Sequence, residues 1–293
     1  RVAAASIGAQ CRESGVGANH CWGVRVQSAM AVEALPGDAT IERGMGKHRE
    51  WGSEEIPLDG VAEESLARLR KLLEDEPELK TRADSVDLLR FLRFRKYDVD
   101  ATLDTVRKYC AIRASAPRLF EGLREPEKMR KLMQDLITVL PQRNLHGRPV
   151  VVYKFGAWQP SKASYLQMTQ AIVMCIEHAS RHPAAQTVGV SLVSDFQGWS
   201  LGNMRFVDLG VTKEYLHYLQ YCAPILPNEA HVIRQPAAFN FFYALMRPFM
   251  KEETVKSIRF HGKHVQELHD DIPPSILPVE YGGTAPSSDW NVF

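Results

Sequence analysis

The chain has 293 residues, 45% hydrophobic and 24% charged, which is enough apolar material for a sizeable core and argues against bulk disorder. Its 36 Lys and Arg stand against 35 Asp and Glu, a formal net charge of +1, so no global field holds nucleic acid and any anionic partner must be met by a local patch. Five cysteines, Cys11, Cys21, Cys110, Cys175 and Cys222, are odd in number and free of any CxxC pair; with no Asn-x-Ser/Thr sequon they point to a reducing, cytoplasmic setting.

Residues 1–55 are rich in Gly, Ala and Ser without apolar periodicity and read as a disordered or foreign leader. "GMGKH" within it misses the phosphate-loop pattern, since Ile41 stands where a Gly is required and His48 follows Lys47 in place of Ser or Thr. From Leu66 the spacing turns helical, with Leu66, Leu69, Leu72 and Leu73 on one stripe and Leu88, Leu89 and Leu92 on the next. Asp98 is placed to cap a third helix, and the Arg and Lys residues of "LLRFLRFRKYDVD" read as a solvated helix face. Residues 56–130 are therefore expected to form a helical lobe.

After Gly147 the texture changes. "RPVVVYKF", "TVGVSLVSD" and the shorter "HVI" at His231–Ile233 are Val-rich runs of the kind buried strands show. Helix-length stretches, Tyr165 to Ala179 and "VTKEYLHYLQYC", lie between them. That alternation predicts an α/β fold with a mixed, mainly parallel sheet over residues 131–286, followed by a short tail at 287–293.

Catalytic patterns are sparse. No Gly-x-Ser-x-Gly elbow surrounds Ser191 or Ser194. His178 and His182 stand four apart, but Pro183 ends the helix and the zincin Glu is missing, so no metal site is expected. His261, His264 and His269 read as a solvated helix face, and the acidic pairs of "LEDEPE" and "ELHDD" as exposed turns. What is concentrated is apolar: "AAFNFFYALMRPFM", Ala237 to Met250, has only Asn240 and Arg247 clearly polar. At about 1.5 Å per residue this segment reaches roughly 21 Å as a helix, too short for a bilayer. Such a segment reads as a fully buried core helix, as a core helix with a partner on its far side, or as a helix between a lipid ligand and a membrane surface.

"LLRFLRFRKYDVDAT", "SDFQGWSL", "VIRQPAAFNFFYALMRPFM" and "ILPVEYGG" resemble, in the same order, the helical signature, the Asp-x-x-Gly loop, the gate helix and the closing motif of the CRAL-TRIO lipid-binding family. The resemblance runs from about Leu66 to Gly283. It implies a helical lobe, a sheet-floored cavity for one lipophilic molecule and a helical gate formed by Ala237 to Met250. It also implies a non-enzymatic carrier, expected to be a monomer that meets anionic membranes transiently, with no cofactor beyond the bound lipophilic ligand. The ungapped spacing from Trp158 to Trp199, with Glu177 and Asp195 in step, is most similar to the tocopherol and retinal carrier branch.

Carried across from that branch, the expected pocket positions on the first crossover helix and the strand after it are Thr169, Ile172, Ile176, Val190, Leu192 and Ser194. Trp199, Leu201, Tyr218, Leu219 and Ile225 follow, and Met246 and Met250 come from the gate. Phe239, Phe242 and Phe249 are the expected gate aromatics, Phe242 and Phe249 facing outward. Phosphatidylinositol carriers of the family use a Lys where Glu229 stands, which implies that a phosphate headgroup is repelled. Leu226, Asn228, Glu253 and Ser257 occupy the branch's phosphoinositide positions, so a basic patch is expected to be shifted to Lys251, Lys256, Arg259 and Lys263 on the following helix. A lipid-sensing signalling or trafficking adaptor is the alternative function.

Overall fold

The computed structural model describes residues 58–79, 81, 84–225 and 227–286; the expected leader over 1–55 and tail over 287–293 lie outside the described residues. Three helices come first: α1 (Gly60–Glu74), α2 (Ser85–Phe94) and α3 (Val99–Ser115). Each is opened by an aspartate whose carboxylate accepts a backbone N–H of the first turn: Asp59 from Ala62 at 2.8 Å, Asp84 from Asp87 at 2.8 Å and Asp98 from Ala101 at 3.0 Å. Leu66, Leu69, Leu88, Leu89, Leu92, Val99 and Leu103 bury together, while Leu72 and Leu73 pack partly exposed at the margin. The lobe thus has a core of its own. A 3-10 stretch (Pro117–Arg124) and α4 (Pro126–Met133) lead into the sheet.

Five strands lie side by side in chain order: β1 (Ile137–Arg143), β2 (Pro149–Lys154), β3 (Val190–Asp195), β4 (Pro227–Ile233) and β5 (Ile258–Gly262). β1 runs antiparallel to β2, and every other pair is parallel. The two outer strands escape the sequence reading for physical reasons. Pro141 argues against a strand, yet β1 is an edge, where a missing N–H costs no ladder bond. β5 is short and carries Arg259 and His261. "HVI" proves to be the end of the seven-residue β4.

Helices complete the crossovers: α5 (Tyr165–Ala179) and α6 (Pro183–Val188) between β2 and β3, then α7 (Leu201–Met204), α8 (Leu209–His217) and a π-helical turn (Tyr218–Cys222) before β4. Between β4 and β5 come α9 (Ala237–Met246), a 3-10 turn (Arg247–Phe249) and α10 (Glu252–Lys256). A capping box starts α5, Ser164 accepting from the Gln167 N–H while the Gln167 side chain accepts from the Ser164 N–H. His178 lies in α5, whereas His182 precedes α6, so the two do not share a helix. No helix among the described residues is long and apolar enough to cross a membrane.

Alternation along the strands gives the sheet two apolar faces. Val151, Tyr153 and Val190 turn toward Ile172 and Ile176 of α5. Val150, Val152, Val193 and Ile233 turn the other way, under Leu268, Ile272, Ile276, Leu277 and Tyr281 of the C-terminal segment.

Candidate functional site

The α5 face of the sheet is also the α9 face. Val232 pairs in register with Ser194 and with Phe260, and Val232 packs with Phe196, Trp199 and Phe239 of α9. So α5 roofs one side of this face and α9 the other. Between them lies a strip that is incompletely covered: Leu192 and Ser194 of β3 and Ala230 of β4 are only half-buried. β3 is the middle strand of five, shielded on both sides by neighbours, so this exposure comes from above the sheet. Beside it a small, half-open apolar cleft lies among Leu136, Ile137, Tyr153, Phe155, Met168 and Ile172, with Lys154 also lining it.

An aromatic row joins the cleft to α9. Tyr153 lies 5.8 Å from Phe155, Phe155 stacks on Phe196 at 5.0 Å, and Phe196 meets Phe239 at 4.5 Å. Trp199 continues to Phe242 at 5.7 Å. These contacts are edge, tilted and offset ring pairs, attractive but without hydrogen bonds. The outer side of α9 is apolar as well. Phe241 is 69% exposed, and Ala237, Ala244, Leu245, Pro248 and Phe249 share its stripe at helical spacing in the solvent.

The two ends of α9 are fastened differently. Before it, Arg234 adopts a left-handed backbone (φ 52°), unusual for a residue with a side chain. Its guanidinium pairs with Asp195 and lies 5.0 Å from the Tyr281 ring, whose hydroxyl donates to Asp195 at 3.3 Å. Three of the motifs that carry the family resemblance, those holding Asp195, Arg234 and Tyr281, therefore meet just before α9. Beside it, a Cβ at Gly156 would lie 1.8 Å from the Gln197 carbonyl oxygen, so only glycine lets the loop after β2 pass the Asp-x-x-Gly loop. After α9, the Gln220 side chain in the π-helical turn donates to the Phe249 carbonyl at 3.0 Å and accepts the Lys251 N–H at 2.6 Å. α9 itself starts at Pro236 without a side-chain cap.

The helical lobe is joined to α5 by charge. Arg90 of α2, expected on a solvated face, is 3% exposed; it donates to Glu177 and to Ser180 at 2.8 Å each. The Tyr218 hydroxyl donates to the other Glu177 oxygen at 2.7 Å, and Arg181 pairs with Asp87 at 3.3 Å. Burial raises the Glu177 pKa, but the Arg90, Arg181 and Arg113 charges outweigh it and hold the carboxyl at about 2. Burial pushes the thiols of Cys110 and Cys222 up to about 11 and about 12, so neither is a thiolate at neutral pH.

The expected pocket positions fall into three groups. Ile172, Ile176, Val190, Tyr218 and Ile225 are buried in one cluster, with Leu192 and Leu219 against it and buried Thr169 donating to the Tyr165 carbonyl at 2.9 Å. Trp199 belongs to the aromatic cluster under α9, and Met246 is buried on α9 itself; Ser194 and Met250 are half-buried. Leu201 departs from expectation, standing 63% exposed at the start of α7. On the gate, Phe239 faces inward and Phe249 outward, but Phe242 sits on Trp199, and Phe241 takes the outward place assigned to it. A periodicity count from the exposed end, Phe249 back by four and eight, finds Leu245 and Phe241.

The basic patch is dispersed. α10 holds only five residues; Lys251 precedes it and Lys256 ends it, while Arg259 lies in β5 and Lys263 beyond. Lys251 donates to the Gln220 carbonyl at 2.9 Å, and Arg259 pairs with Asp271 at 2.5 Å. Glu229 also changes meaning. It is buried, bonded to Arg148 and Asn144, and shares the face of His231, opposite α9. A charge neutralised there does not repel a headgroup under the gate. Asn228 lies beside Glu229 in β4, Glu253 in α10 and Ser257 at its end, and Leu226 is outside the described residues. His261 and Asp271, expected on a solvated helix and in an exposed turn, are both buried.

A half-open apolar sheet face roofed by an apolar helix defines a class, and comparison with known proteins gives it a name. The CRAL/TRIO domain matches residues 133–283, and the chain belongs to that family, whose members bind or transfer lipids. Among its relatives, the alpha-tocopherol transfer protein-like protein of Homo sapiens is 34% identical over 227 residues, covering 76% of this chain and 66% of that one. Clavesin-1 of Rattus norvegicus is 28% identical over 236 residues, covering 80% and 67%. The chain thus spans just under two thirds of the tocopherol relative's length. The crystal structure of Sfh5 shares the fold, with a TM-score of 0.52 at 14% identity over 80% of this chain and 91% of that one.

Proposed function

We propose that this protein is a non-enzymatic carrier of a single lipophilic molecule of tocopherol, retinoid or sterol type, exchanged with membranes when α9 swings away from the sheet. The observation that carries the reading is α9 itself: aromatic rings on its inner side, bare Phe241, Leu245 and Phe249 on its outer side. A helix exposing such a stripe loses least by pivoting when a bilayer is there to receive it. The half-buried strip of Leu192, Ser194 and Ala230 and the adjoining cleft support a ligand seat on the sheet. A ligand of this size needs on the order of 300 Å³ or more, far beyond what the small cleft encloses, so displacement of α9 has to supply the space. The relative named for tocopherol transfer supports the neutral-lipid choice.

The test is mass spectrometry of lipid extracted from the purified chain, followed by competition among α-tocopherol, retinaldehyde, cholesterol and phosphatidylinositol. One neutral lipid per chain is expected, resistant to phosphatidylinositol. If phosphatidylinositol displaces every neutral lipid, or no lipid reaches one per chain, the reading fails.

A further inference from the structure

On the sheet face opposite α9, at the end where the β1–β2 turn meets the starts of β4 and β5, four donor groups converge: His146, Glu229, His231 and Asp271. The His146 Nε2 lies 3.6 Å from a Glu229 oxygen and 3.3 Å from Asp271 Oδ1. The His231 Nε2 lies 4.0 Å from the second Glu229 oxygen and 4.0 Å from Asp271 Oδ2. A tetrahedral Zn²⁺ with bonds of about 2.0 to 2.1 Å sets its ligand atoms roughly 3.3 Å apart; His146, Glu229 and Asp271 already lie near that spacing, and His231 completes the set by moving in by a fraction of an ångström.

The decisive atom is the His231 Nε2. His231 is fully buried and this nitrogen has no hydrogen-bond partner. A relay of contacts says what it carries. The His261 Nδ1 lies 2.7 Å from a Glu267 carboxylate oxygen, which only accepts, so this nitrogen bears a proton. With His261 neutral, its Nε2 then accepts, and the His231 Nδ1 at 3.0 Å donates to it. The His231 Nε2 is then left with a bare lone pair directed toward two carboxylates. The carboxylate oxygens there accept from Arg148, Asn144 and Arg259, so it is the buried His231 nitrogen that is left without a donor, a position a cation fills. A carboxylate holding one imidazole, which holds the next, is also the arrangement that orients a ligating histidine.

We propose that His146, His231, Glu229 and Asp271 form a binding site for one divalent cation of the zinc class, which ties the β1–β2 turn, β4 and the C-terminal segment together. Arg148 bonds the Glu229 oxygen that faces His146, while Asn144 and Arg259 bond the Glu229 and Asp271 oxygens that face His231, so an ion shares these oxygens with them. The two arginine charges weaken the site relative to one with bare carboxylates, without occupying the His231 lone pair. His146, half-exposed, gives the ion a path from solvent.

The experiment titrates the chelator-treated full chain with Zn²⁺ alone by calorimetry, and with Co²⁺ for its visible spectrum. Wild type is expected to take up one ion per chain, with the intense Co²⁺ absorption of a four-coordinate site. His146→Ala, a half-exposed position that the fold tolerates, is expected to weaken binding by roughly tenfold or more and to lose that spectrum; Glu229→Gln should do the same. His264→Ala, at an exposed histidine outside the cluster, is the control and should bind as wild type. Absence of one-to-one uptake by wild type, or wild-type affinity in His146→Ala, overturns the proposal.

Discussion

Two helices roof the same face of one sheet and are held there by opposite means. α5 is tied to the helical lobe by a buried network in which Arg90, Glu177, Ser180 and Tyr218 satisfy one another. α9 rests on aromatic rings, and its outer side is apolar and exposed. Buried charges that find partners only in one arrangement lose several kcal/mol when that arrangement is broken, so α5 is fixed. Ring contacts carry no buried charge, and on the carrier reading proposed above a membrane or a ligand replaces them at little cost when α9 leaves the sheet. The polar contacts at α9 sit at its ends, at Asp195–Arg234 and at Gln220, where that reading makes them pivots.

The sharpest way to break this contrast is at Arg90. Arg90→Ala leaves the Glu177 carboxylate buried without its guanidinium, and denaturant unfolding should show a loss of about 3 to 5 kcal/mol. A loss below about 1 kcal/mol would mean that α5 is held no more firmly than α9. Acid probes the same network. Glu177 has a folded pKa of about 2, below the unfolded value of about 4.3, so its contribution is fully present above pH 4.3 and is lost as pH falls toward 2. On the order of 3 kcal/mol should vanish across that window in wild type, while Glu177→Gln, less stable from the outset, should lack this part of the slope.

Amide exchange compares the two helices directly. The N–H groups of α9 should exchange at least about tenfold faster than those of α5, a gap near 1.4 kcal/mol, and Gln220→Ala should widen it by loosening the far pivot. Equal protection of both helices would make α9 an ordinary core helix. The smallest effect on stability belongs to the outer stripe. Phe241→Asp with Phe249→Asp should move the unfolding free energy by no more than about 1 kcal/mol, because Phe241 already lies largely in water and the partly covered Phe249 ring is met by Lys213, which an Asp there can pair. Vesicle-to-vesicle transfer should nevertheless slow by roughly tenfold or more, since each charge opposes entry into the acyl boundary. Unchanged transfer would detach the exposed stripe from function.

Much of this was legible in the residue order, and the exceptions share a cause. The leucine stripes of α1 and α2, the Asp98 cap, the Val-rich strands and the doubly apolar α9 are local patterns, in which neighbours three or four apart, or alternate residues, report the element and its buried side. Arg90, Glu229, His231, His261 and Asp271 are the reverse. Each is polar, each reads alone as a surface residue, and each is buried among partners that only the fold brings up: Glu177 for Arg90, Arg148 for Glu229, Arg259 for Asp271, and His261 for the Nδ1 of His231. Composition and periodicity carry hydrophobic burial, which is nearly additive along the chain and so belongs to the sequence by itself. Polar burial depends on a pair meeting at hydrogen-bond distance, across 87 positions for Arg90 and Glu177, and that meeting exists only once β3, β4 and α5 are in place. The tertiary structure alone therefore decided which charges are interior, which gate ring faces outward, and that the motif residues Asp195, Arg234 and Tyr281 meet just before α9.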